Sequence, residues 1–85
     1  MRKLMIPAEV IAHFNTNGLI TPYRIRYEHD GKKVLYVSKL LKRNTSMNSG
    51  RIVEVFECVG CRGDYEIVFV LNFEKKLSQW FLTKL

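Results

Sequence analysis

The sequence predicts an all-β domain, five or six antiparallel strands in a meander, wound as a strongly coiled sheet or closed into a small barrel. Three observations carry this. Short apolar-alternating segments account for nearly every one of the 85 residues. Asn17-Gly18, Asp30-Gly31, Asn48-Ser49-Gly50 and the stretch from Gly60 to Gly63 punctuate them, and Asn-Gly and Asp-Gly pairs tolerate the positive φ of a tight hairpin. Aromatic residues, 12 % of the chain, join the β-branched ones in supplying large contact areas on a pleated surface. One domain is expected over residues 1–85. Its core is small, because a chain this short buries only roughly 60–68 % of the surface its unfolded form exposes.

The first segment, Ile6 to Phe14, reads two ways. As a strand it sets Ile6, Ala8, Val10, Ala12 and Phe14 on one face and Glu9, His13 and Asn15 on the other, with Ile11 breaking the alternation. As a short helix it has Pro7 at the first position and Gly18 a few residues past its end. The hairpin signal Asn15-Thr16-Asn17-Gly18 favours the strand. Leu19 to Glu28 alternates Tyr23, Ile25 and Tyr27 with Arg24, Arg26 and Glu28, which places the two arginines on one side and the tyrosines in the core. Pro22 cannot donate to a ladder, so this strand should begin at an edge or bend.

After the Asp30-Gly31 turn, Lys32 to Leu41 is apolar on both faces: Val34 and Tyr36 on one, Leu35 and Val37 on the other. Lys42 to Gly50 has neither period and reads as one long, mobile loop. Arg51 to Val59 sets Ile52 and Phe56 against Val53, Val55 and Val59, and Gly60-Cys61-Arg62-Gly63 turns the chain. Tyr65, Ile67, Phe69, Leu71 and Phe73 line one face of the next strand, with Val68 and Val70 opposite. Glu74-Lys75-Lys76 turns again. The last segment, Leu77 to Leu85, has Trp80 and Leu82 on one face and Phe81 on the other. A sheet apolar on two faces, with no helix to cover the second, must close on itself or pair with another subunit, so a homodimer is expected.

The net charge of +6 is uneven. Residues 1–51 hold ten Lys and Arg against three acids, and residues 52–85 four against five. An anionic partner would suit that asymmetry; the plainer reading is solubility and protection of strand edges. Met1 to Ile6 starts like a secretory leader, but Pro7 and Glu9 interrupt it, and no apolar run approaches the ~18 residues of a membrane span. Two cysteines make no disulfide scaffold. A cytoplasmic protein with reduced thiols and no membrane partner is expected.

Candidate chemistry is sparse. Cys58-Val59-Gly60-Cys61 offers two thiolates with a bite that suits zinc, but a structural site wants four ligands. His13, His29 or a second chain would have to complete it. The plainer reading is two small apolar-like residues flanking a turn. Neither histidine has a nucleophile or carboxylate at useful spacing, and no activated nucleophile can be assembled. Glu54 and Glu66 are candidates to face one another across adjacent strands, but make a poor catalytic pair beside Glu57 and Asp64. The basic set is the better candidate. Arg24, Arg26, Lys39, Lys42, Arg43 and Arg51 would form a phosphate-attracting surface on a curled sheet. Tyr23, Tyr27 or Tyr36 would stack bases if they shared that face, although alternation turns Tyr23 and Tyr27 away from Arg24 and Arg26.

Ile20-Thr21-Pro22 with Ile25-Arg26-Tyr27, Gly31-Lys32, the strand from Val34 to Leu40 and the terminal Trp80-Phe81 give the chain a further likeness. Over about residues 10–85 it resembles a group of small all-β proteins of Gram-positive bacteria. The resemblance implies a bacterial, cytoplasmic, β-rich protein and brings no known activity or site residue. The cysteine pair and the Asn-Thr-Ser-Met-Asn-Ser stretch depart from that group.

The function expected is that of a non-enzymatic, self-associating interaction module that binds another macromolecule and needs no cofactor. A nucleic-acid-binding domain using its basic residues is the alternative. A zinc- or thiol-dependent protein using Cys58 and Cys61 is the third class.

Overall fold

The structure, a computed structural model, describes residues 3–85, with residues 3, 4 and 48 described by their backbone alone. Six strands follow one another: β1 (Lys3–Phe14), β2 (Ile20–Glu28), β3 (Lys32–Asn48), β4 (Arg51–Arg62), β5 (Tyr65–Glu74) and β6 (Gln79–Lys84). Each pairs antiparallel with the next, and β6 pairs with β1, so the meander is a closed barrel. No helix among the described residues is long and apolar enough to cross a membrane.

The first segment is a strand, as its alternation favours. Ile6, Ala8, Val10 and Ala12 pack against the core while Glu9, Ile11 and His13 face out. Phe14, expected on the inner face, is 59 % exposed where the strand leaves the barrel. Period-2 alternation then fills the interior with Ile25, Tyr27, Leu35, Phe56, Cys58, Phe69, Leu71, Phe73 and Leu82. At one end an aromatic group closes the barrel: Trp80 lies 4.7 Å from Phe73 and 5.6 Å from Phe56, centroid to centroid. Burial at ~25 cal/mol per Å² makes such rings the largest single contributors to a small core.

Two expected loops are strand. Lys42 to Gly50 continues the β3–β4 ladder, with pairs from Lys42↔Glu57 to Asn48↔Arg51. Ser49 (φ 52°) and Gly50 (φ 78°) turn it in the φ pattern of a two-residue type I′ hairpin. The segment lacks a hydrophobic period because it extends past the core as an arm; its backbone bonds to β4 hold it instead. The β4–β5 turn also lies later than expected. Gly60, Cys61 and Arg62 belong to β4, and Gly63-Asp64 makes the turn between the Arg62↔Tyr65 pair. Gly60 is absorbed into the wall because its missing side chain admits the Phe69 ring.

The β2–β3 ladder runs only from Arg24↔Tyr36 to Glu28↔Lys32. Beyond Tyr36, β3 remains paired with β4 alone, while the start of β2 stays with β1. Arg43 spans the divergence. One of its terminal nitrogens donates to the Ile20 carbonyl oxygen at 2.8 Å and to Thr21 Oγ1 at 3.1 Å. Its guanidinium sits 5.7 Å from the Phe56 ring centre. Charge-assisted hydrogen bonds and a cation over an aromatic face hold the seam where the ladder cannot.

Candidate functional site

A bulge in β2 builds the site. Ile11 pairs with Arg24 but Ala12 pairs with Pro22, leaving Tyr23 as the extra residue on the β2 side. A bulge breaks strict alternation and re-aims side chains. Pro22 therefore turns inward and is buried, and Tyr23 and Arg24 share the outer surface. Tyr23, expected in the core, is 52 % exposed, whereas Tyr27, past the bulge, is buried as expected. Pro22 was the sequence signal for this irregularity, but no residue pattern specifies which neighbour a bulge expels.

Arg24 faces Tyr36 directly across the β2–β3 ladder, and Tyr36 is 57 % exposed. His13, from β1, stacks edge-on against Tyr23 with ring centres 6.2 Å apart. Two tyrosines thus flank one arginine on the outer face of β1–β3. Lys39 and Lys42 lie farther along β3, exposed beside bulges at Ser38 and Leu41. Neither lysine, nor Arg24, has an ion-pair partner among the described residues.

The remaining expected cations are engaged by the protein itself. One Arg26 nitrogen donates to both Glu9 carboxylate oxygens, at 2.7 and 2.8 Å. That hydrogen bond, with the guanidinium's charge, holds the Glu9 carboxyl below its usual range. Arg51 lies 3.0 Å from Glu74, whose side chain is nearly buried, and Arg43 bridges the seam. The six basic residues therefore do not act as one surface: Arg24, Lys39 and Lys42 are available, and Arg26, Arg43 and Arg51 are held.

The cysteines do not converge. Residues three apart on a strand lie on opposite faces. Cys58 is inside and fully buried, and burial pushes its thiol up to about 11. Cys61 faces outward between Tyr36 and Glu66. Among the described residues, no three His, Cys, Asp or Glu side chains gather as a metal site. Glu54 and Glu66 are likewise apart: Glu54 is paired with Phe73 and hydrogen-bonded to Thr45, while Glu66 is paired with Cys61. Compared with known protein families, curated proteins and solved structures, the chain matches none.

Proposed function

We propose that the protein is a non-enzymatic binding module that takes single-stranded nucleic acid on the outer face of β1–β3. The observation that carries this reading is the placement of two exposed rings, Tyr23 and Tyr36, on either side of the half-buried Arg24 on the outer surface. Exposed aromatic rings stack on the π-face of any base, and a nearby unpaired cation attracts the phosphate that links two bases. A duplex hides its base faces, so the same surface should prefer single strands. Lys39 and Lys42 extend the positive potential along the strand that carries Tyr36. A cytoplasmic setting is consistent with this reading.

Fluorescence anisotropy of labelled random-sequence oligonucleotides tests it. Single strands should bind more tightly than duplexes, with affinity falling as salt rises because each phosphate contact releases about one counterion. Tyr23→Ala and Tyr36→Ala should each weaken single-strand binding by ~1–3 kcal/mol. Arg24→Ala should lower the salt slope by about one, and Arg51→Ala should leave it nearly unchanged. Absence of binding at low salt would overturn the reading. Binding indifferent to both tyrosines would reduce it to non-specific charge attraction.

A further inference from the structure

We infer that the outer face of β4–β6, on the opposite wall of the barrel, docks a second copy of this chain about a twofold axis running along β5 above Val70. Two rows of outward-facing residues cross this wall. One is Glu57–Val70–Lys84 and the other Val55–Asn72–Phe81, each residue directly paired with the next. Val68, on β5 next to the first row, is 49 % exposed.

An axis along β5 reverses each row left to right. It sets Glu57 of each copy opposite Lys84 of the other, one strand spacing (~4.8 Å) to either side of the axis. The same rotation places Val55 against Phe81 of the second copy. Val68 meets Val68, Val70 meets Val70, and Asn72 meets Asn72, whose amides can donate to and accept from each other. The wall is thus complementary to itself in charge as well as in apolar character, which an isologous contact requires.

Shape agrees. Two depressions flank Val70: one of about 210 Å³ lined by Val55, Glu57, Val68 and Lys84, the other of about 420 Å³ lined by Val53, Asn72, Glu74 and Thr83. Protruding side chains of a second copy can enter them. Because β2 lies across the barrel from β5, Tyr23 and Arg24 remain outside the dimer, while Lys42, paired with Glu57, borders it.

Sedimentation of the full chain over micromolar to submillimolar concentrations tests the inference. The expected result is a reversible species of twice the chain's 10.0 kDa. Val70→Asp should give a monomer with an unchanged far-ultraviolet circular dichroism spectrum. Glu57→Lys and Lys84→Glu should each weaken association about tenfold through like-charge contacts, and the double exchange should restore it to within about threefold. These exchanges decide the matter if Val70→Asp does not fold. A wild-type monomer throughout, or a double exchange as weak as either single one, would overturn the inference. Neither outcome touches the nucleic-acid reading, which rests on Tyr23 and Arg24 of β2 and Tyr36 of β3, away from these rows.

Discussion

Gly60 faces the interior where the Phe69 ring crosses it, and a Cβ there would meet Phe69 Cε1 at 2.5 Å and the Tyr36 carbonyl oxygen at 2.9 Å. The ring is fully buried and the carbonyl belongs to the β3 ladder, so neither can move cheaply. Gly60→Ala should cost ~1–3 kcal/mol in urea unfolding, the usual range for overpacking. Unchanged stability would mean that the wall is looser than its packing indicates. The sequence suggests a turn at Gly60, because glycine most often marks backbone freedom. Here it marks an absent side chain, and only the ring from another strand reveals that. Tyr23 gives a parallel case. Alternation assigns it to the core, and one inserted residue reverses the assignment.

Along β3 the residues beyond Tyr36 form an edge, and the strand carries the usual defences of one. Bulges at Ser38 and Leu41 interrupt its ladder, and Lys39 and Lys42 stand exposed beside them. Such features discourage edge-to-edge pairing between molecules. Replacing both lysines with threonine should produce concentration-dependent aggregation, read by light scattering, while each monomer keeps its strand content. A variant that stays monodisperse would assign those lysines to ligand binding alone. At this scale alternation made β2 and β5 legible and favoured a strand for β1, while β4 and the inner half of β3 showed as β-rich runs apolar on both faces. The outer half of β3 was not legible, because its residues face solvent on both sides and hydrogen bonding to β4, rather than burial, holds it extended.

For the whole molecule, a closed wall around a small core ties one buried titrating group to global stability. Cys58 ionises in an unfolded chain near 9.0, but burial raises its thiol to about 11 in the barrel. The folded state therefore favours the protonated form. That contribution is fully present below about pH 9 and is lost as pH rises through about 11, at ~1.4 kcal/mol per unit. Denaturant unfolding of the wild type should weaken over that window more steeply than that of Cys58→Ala. Parallel slopes would show that the thiol reaches water before the barrel opens. The sequence by itself determined the all-β class, the antiparallel meander and most of the core, since these follow from period-2 alternation and turn chemistry within short segments. Tertiary structure alone decided barrel closure, the bulge that brings Tyr23 beside Arg24, the Arg43 bridge and the separation of Cys58 from Cys61. Each depends on register between strands, which is set by how distant side chains pack and leaves no local signature in the chain.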